Sequence, residues 1–381
     1  MGPVNNLLLG VTIMGLTHTF CAESTLFDTY PALRSSIAYV CLGQFPTPIA
    51  RLQTAQKYVG LSQLYIKRED LSGTLFGGNK IRKLEFLLAD ALQKNYKTVL
   101  AYGGIASNNV TSVAAYANQI GLKSIALLMD QPITRNLKRN LLLDQYYGCT
   151  LFACPHDREL TADELRAFIK EHGLDPNPYI IPMGGSNKIG IIGWVNAAFE
   201  LKEQIEQGII AEPDYIYITL GSLGTTAGLL LGLKAAGLKT HVKAIQVTNP
   251  EKYNKNKLCN LIKETNQLLH DADPSFALFE WNEQEFDINT HYLGTGYACK
   301  TLEGELARAF FMNLEDVILD ETYTAKTVAA LINDCRSGVI KPNDVVLYWH
   351  TYCADEFSEI VEGIDISQLP KELQKYLNPM H

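Results

Sequence analysis

A chain of 381 residues, 47% of them hydrophobic and 19% charged, can bury a large core and exceeds one typical domain, so a compact two-domain protein is expected. The formal net charge of −8, without any run of five like charges, argues against nucleic acid or an anionic membrane surface as the main partner and leaves small molecules. Eight scattered cysteines, with no Cys-x-x-Cys pair and no zinc-spaced Cys/His cluster, read as reduced core thiols of a cytosolic protein, and no metal site is expected.

The N-terminal stretch NNLLLGVTIMGLTHTFCAES has an apolar run from Leu7 to Leu16 of signal-peptide length, too short to span a bilayer as a helix. No Lys or Arg precedes it, and Phe20 stands where cleavage before Glu23 needs a small residue. Residues 1–44 are therefore read as a buried or loosely packed N-terminal extension of a cytoplasmic protein, with export to the periplasm as the alternative. Next comes FGGNK (76–80), which opens a helix whose buried face carries Ile81, Leu84, Leu88, Ala91 and Leu92. Its first turn holds Lys80, Arg82 and Lys83, three cations at the end where the helix dipole favours anions.

From Thr98 onward, short β-rich runs alternate with helical patterns. Strands are predicted at 98–104 and 124–130, with helices at 108–120 and 136–147 following them. A strand at 149–154 precedes a helix with a Thr161/Glu164 capping box, and a strand at 179–185 precedes a helix at 189–207. Further strands fall at 215–221, 242–247 and 344–351, while the polar 251–260 segment reads as an exposed helix start or loop. Such alternation implies right-handed crossovers and an α/β fold of mostly parallel sheet with helices on both faces.

Four Gly-rich turns, FGGNK, YGGIASNN, MGGSNKIG and LGSLGTTAG, are expected to converge on one crevice at the carboxyl ends of the strands. The run Gly221, Ser222, Leu223, Gly224, Thr225, Thr226 offers backbone N–H groups and hydroxyls at a helix start, which makes an anion site; the plainer alternative is a tight turn that allows close helix packing. It matches neither the P-loop nor the dinucleotide spacing, and H-E-x-x-H and G-x-S-x-G are absent. Lys80 and Lys83, three apart, face one direction. They are either solvated surface lysines or cations that hold a phosphate, one of them with a lowered pKa suited to covalent chemistry on a carbonyl.

Taken in order, KREDLSGTLFGGNKIRKLEFLLADAL, YGGIASN, IPMGGSNKIGIIGWV, LGSLGTTAGL, GTGYACKT and DETYTAKT resemble the D-cysteine desulfhydrase and 1-aminocyclopropane-1-carboxylate (ACC) deaminase family. The resemblance runs from about Phe45 to the last strand. It implies a tryptophan-synthase-β-like (fold type II) enzyme dependent on pyridoxal 5′-phosphate (PLP), a homodimer with a small domain at 84–193 and a large domain at 45–83 and 194–381. It also implies that Lys80 carries the cofactor, that Lys83 and the Gly221, Ser222, Leu223, Gly224, Thr225 turn hold its phosphate, and that Asn108 stands beside the ring oxygen. Ser107 matches the family's nucleophile or proton-handling hydroxyl, and Tyr297 and Tyr323 match two active-site tyrosines; outside such motifs each tyrosine would read as packing.

The family's reactions are eliminations and ring opening of small amino acids. ACC deaminases resemble each other in a Glu after the second tyrosine, where this chain has Thr324, and in a Leu where it has Thr351. A neutral hydroxyl beside the ring nitrogen holds a pyridinium charge less well than a carboxylate, so the resemblance favours α,β-elimination of D-cysteine to pyruvate, sulfide and ammonia. ACC deamination to 2-oxobutyrate is the alternative, and binding of PLP or an amino acid without efficient turnover is a third. Departures from the family pattern stand at Ala106, Asn109, Lys300, Tyr352 and Cys353, and they imply an altered substrate pocket.

Overall fold

The computed structural model describes residues 24–377. Its strands are β1 (Ile49–Arg51), β2 (Gln63–Arg68), β3 (Thr98–Gly104), β4 (Lys123–Met129), β5 (Thr150–Ala153), β6 (Tyr179–Ile181), β7 (Tyr215–Leu220), β8 (His241–Gln246), β9 (Asp287–Asn289) and β10 (Val345–His350). They form a six-stranded sheet in the order β1-β2-β10-β7-β8-β9 and a four-stranded sheet in the order β5-β4-β3-β6. Every neighbouring pair is parallel except β1–β2, so the chain has the expected α/β class. β1, β2 and β9 were not predicted. Two are three residues long, and β2 carries Lys67 fully buried among its apolar residues, which interrupts the hydrophobic run.

Alternate residues of each strand feed opposite cores. Ile216 and Ile218 of β7 pack with Trp194, Ala197 and Leu201 of helix Ile192–Glu206. Tyr217, between them, packs with Val328 and Leu331 of helix Thr324–Arg336. In the smaller sheet Ala126 and Leu128 join the helices at 81–93, 108–119 and 137–146, while Ile125 and Leu127 face Leu165 and Phe168 of the capped helix Ala162–Glu171. The strand predicted at 179–185 stops at Ile181, because Pro182 has no N–H for the ladder and Gly184 turns with φ 65°.

All four strands of the small sheet lie inside 84–193. The chain after β10 does not stay with the large domain: Phe357, Ile360, Leu369 and Leu373 pack into the small domain's core. At the other end, Leu26, Phe27, Leu33 and Ile37 are buried in the large domain, and the Leu26 N–H donates to Asn196 Oδ1 at 2.9 Å. The described part of the N-terminal segment is thus anchored in the core by these apolar side chains; the apolar run at 7–16 lies outside the described residues. Six described cysteines are free thiols, as expected, but Cys41 is disulfide-bonded, contrary to the reading of all eight as reduced. Among the described residues no helix is long and apolar enough to cross a membrane.

Helix Ile81–Gln93 buries Ile81, Leu84, Leu88 and Ala91, whereas Leu92 is 40% exposed, one position off that stripe. The same helix buries Glu85, whose carboxylate accepts the Leu42 and Gly43 N–H groups, each at 3.1 Å. Burial pushes Glu85 up to about 7, and burial pushes Asp144 of the small domain up to about 8. Above the ordinary carboxyl range the folded chain keeps protons that the unfolded chain releases. The contribution of these groups is therefore full below that range and is lost as pH rises through about 7 and about 8. Urea midpoints are expected to fall across that window, and Glu85→Gln should flatten its lower part.

Candidate active site

A cavity of about 420 Å³ lies between the sheets, with Gly104, Met129, Met183, Gly221, Thr248 and Thr351 bringing the carboxyl ends of five strands and the turn after β6 to its wall. Of the predicted residues, Lys80, Ser107, Asn108, Gly221, Ser222, Leu223, Thr225, Tyr297, Tyr323 and Thr351 line it; Lys83, Gly224 and Thr324 do not.

Lys80 is the N-cap of its helix, and its Nζ donates to Asn79 Oδ1 at 3.0 Å. Asn79 is held from two sides, by its N–H to Thr351 O (3.1 Å) and its Nδ2 to Thr225 Oγ1 (3.0 Å). Gly78 permits this approach: its φ is 96°, and a Cβ there would come within 2.9 Å of Thr351 O. Burial pulls the Lys80 amine down to about 8, against the opposing pull of Asp320.

Lys83 sits behind the cavity wall, where Nζ donates to Gly184 O (2.9 Å) and Ser186 Oγ (3.1 Å). Burial, then the nearby Lys80, holds its pKa well below the ordinary range. Ser186 Oγ in turn contacts Ser222 Oγ (2.8 Å) and accepts from Gly224 N (3.2 Å). Lys83 and Gly224 therefore bind the two Gly-rich turns together under the surface that Gly221, Ser222, Leu223 and Thr225 present. Leu223 adopts φ 72° at the start of helix Gly224–Ala236, and the buried Thr226 Oγ1 has no partner. Gly184 leaves the concavity open, since a Cβ there would lie 2.1 Å from Ser222 Oγ.

Across the cavity, Ser107 caps helix Asn108–Gln119, its Oγ accepting from Val110 N at 3.3 Å. Asn140 and Asn136 donate to Asn108 Oδ1 at 2.8 and 3.3 Å, which fixes the Asn108 amide with its NH2 as the end left for the cavity. The Tyr297 and Tyr323 hydroxyls are in contact, and burial raises both. Ala298, beside Tyr297, is buried with φ 61°. Ala298→Gly should relieve roughly 1–2 kcal/mol of left-handed backbone cost and return roughly 0.5–1 kcal/mol through the freer unfolded chain. A small net rise in urea midpoint is the expected result.

Thr324 departs from the role its position implied. It is fully buried; its hydroxyl donates to Asp320 Oδ1 (2.7 Å) and accepts from Asp320 N (2.9 Å). Asp320 is what this turn shows to the cavity, its carboxylate also accepting the Thr322, Tyr323 and Thr324 N–H groups at 2.9 Å each. The signal was present in the sequence, as an Asp four residues before a helix start, within reach of several unpaired N–H groups. Asn109 was seen only as a departure, yet it lines the cavity with both side-chain polar atoms buried and unpartnered. Of the other departures, Lys300 pairs outside the cavity with Glu321 (3.2 Å), Ala106 O accepts from Asn140 (2.9 Å), Tyr352 lines the cavity, and Cys353 is buried behind it.

Arg82, the third cation of the first helical turn, is 1% exposed. It donates to Glu69 Oε1 and Oε2 at 2.8 and 2.9 Å and to Glu200 Oε1 and Oε2 at 3.0 and 2.9 Å. Lys67, also buried, completes the group at 2.6 Å from Glu200. Two cations face two anions, and Glu69 O accepts the Gly78 N–H at 2.7 Å, which ties this group to the turn that carries Lys80.

The donor set fits PLP. One half-buried amine with a lowered pKa faces the cavity for the aldehyde, and a turn with hydroxyls, helix-start N–H groups and Lys83 beneath it suits a phosphate. The profile of the family described as pyridoxal-phosphate dependent enzyme matches residues 40–351. The crystal structure of an ACC deaminase homologue is similar at 30% identity and TM-score 0.72, covering 89% of this chain and 99% of that one. Threonine deaminase isoform 2 from Solanum lycopersicum (15%, TM-score 0.55, 90% and 92% covered) shares the fold. So does an L-serine ammonia-lyase from Rhizomucor miehei (16%, TM-score 0.57, 84% and 99% covered).

Proposed function

Because the chain belongs to the family of pyridoxal-phosphate dependent enzymes, we propose that it is a lyase that eliminates the β-substituent of a small amino acid, with D-cysteine giving pyruvate, sulfide and ammonia. One observation carries this reading: the Lys80 amine shares one cavity with Ser107, Asn108 and the Tyr297/Tyr323 pair. When bound, PLP supplies the electron sink for charge left at Cα. Lys80 is the base for the Cα proton, and with its amine at about 8 a substantial neutral fraction exists near physiological pH. Asn108 and the 221–225 turn orient the cofactor, and Ser107 and the two tyrosines hold or return protons at the substrate.

Asp320, and not Thr324, faces the cavity, so the choice of D-cysteine rests on the resemblance of the sequence motifs and not on a neutral residue beside the ring nitrogen. ACC deamination is the second reading, favoured by the similarity to the ACC deaminase homologue. Purified protein given each compound separates them. Sulfide and pyruvate from D-cysteine support the first, 2-oxobutyrate from ACC supports the second, and neither product with PLP bound points to binding without turnover. A homodimer in the cytoplasm is part of the same proposal, checked by light scattering and by fractionation of the expressing cells.

A further inference from the structure

Tyr352 follows Thr351 just beyond β10, is 7% exposed and lines the cavity. Its hydroxyl has no hydrogen-bond partner among the described residues and is not among the sealed, unpartnered polar atoms, and the residue lines the cavity. Its ring is held. The Arg139 guanidinium stands 5.4 Å from the ring centroid, and Arg139 Nη1 donates to Cys353 O (3.1 Å) and Asp355 O (2.7 Å) on the same strand of chain. The backbone at 351–353 is also pressed onto the Lys80 turn, since Asn79 N donates to Thr351 O at 3.1 Å and a Cβ on Gly78 would lie 3.3 Å from Cys353 N. Tyr352 thus has a fixed place relative to Lys80, and neither the phosphate turn nor the proton-handling groups use it.

We propose that Tyr352 is a specificity-determining residue: its ring closes one wall of the cavity against long β-substituents, and its hydroxyl hydrogen bonds a polar group of a short one. This rests on the amino-acid lyase reading. A clamped ring cannot swing aside for a longer substrate, and a hydroxyl without a protein partner is left unpaired by a substrate that offers it nothing, so both act through discrimination between substrates.

The test uses holoenzyme of wild type, Tyr352→Phe and Tyr352→Ala with D-cysteine and S-ethyl-D-cysteine. Tyr352→Phe should lower kcat/KM for D-cysteine by about tenfold or more with cofactor absorbance unchanged, and Tyr352→Ala should raise the S-ethyl to unsubstituted ratio by about tenfold or more. Ratios and kcat/KM equal to wild type in both variants overturn the proposal. If the alanine variant loses its cofactor, Tyr352→Phe decides, because it keeps the ring. If wild type releases no keto acid, the lyase reading fails while the wall remains testable. Calorimetric dissociation constants for alanine and norvaline then replace turnover; a preference for alanine that Tyr352→Ala relaxes supports it, and an unchanged preference overturns it.

Discussion

Replacing Lys80 with alanine is expected to remove the visible absorbance of protein-attached cofactor and to lower turnover by about 10²–10⁴-fold or more. No other cavity-lining side chain offers an amine at the same place: Lys83 is committed to Gly184 O and Ser186 Oγ behind the wall, and Lys252 belongs to the segment after β8. Lys80→Arg should behave like the alanine variant although it keeps the charge, because an arginine does not release its proton. Capture of PLP by the cofactor-free protein needs the neutral amine, and burial brings Lys80 to about 8. The capture rate should therefore rise with pH through about 8 instead of through the ordinary lysine range, as stopped-flow absorbance can show. Lys83→Ala should leave attachment intact and weaken PLP affinity, since it loosens the two Gly-rich turns proposed to frame the phosphate.

Arg82→Met is expected to give the largest loss of stability, about 3–5 kcal/mol, out of a total of roughly 5–15 kcal/mol for a typical folded domain. Removing this guanidinium leaves Glu69 and Glu200 buried with only Lys67 as a counter-charge. Burial alone would raise Glu200, yet Arg82 and Lys67 together hold its carboxyl below the usual range. Arg82→Lys should also be costly, because an ammonium cannot reproduce the contacts that the planar guanidinium makes to both carboxylates. Urea unfolding checks both variants. A change for Arg82→Met within the roughly 0.5 kcal/mol typical of surface substitutions would contradict the burial of this cluster.

The contrast between Lys80 and Arg82 shows what was legible in the sequence. Strand–helix alternation from residue 98 onward is a local, periodic signal, and the strands of both sheets there fall within a residue or two of expectation, apart from β6 and β9. The Gly-rich turns were readable as a converging set because an α/β sheet delivers its strand ends to one side. Arg82 was not readable, since its partners lie 13 and 118 residues away and nothing in a lone cation of a first helical turn tells paired burial from solvation. Thr324 failed differently: it lies in a matching motif, but a hydrogen bond to Asp320, four residues back, turns it from the cavity. Residues 357–377 cross to the small domain because packing, not chain continuity, decides where an apolar segment ends.

The most direct measurement is the position of covalent attachment. Holoprotein reduced in place with borohydride, digested and mapped by mass spectrometry should carry the phosphopyridoxyl mass on the peptide that contains Lys80, at Lys80 itself. The mass on Lys83, on another lysine or on none would contradict the account of this cavity.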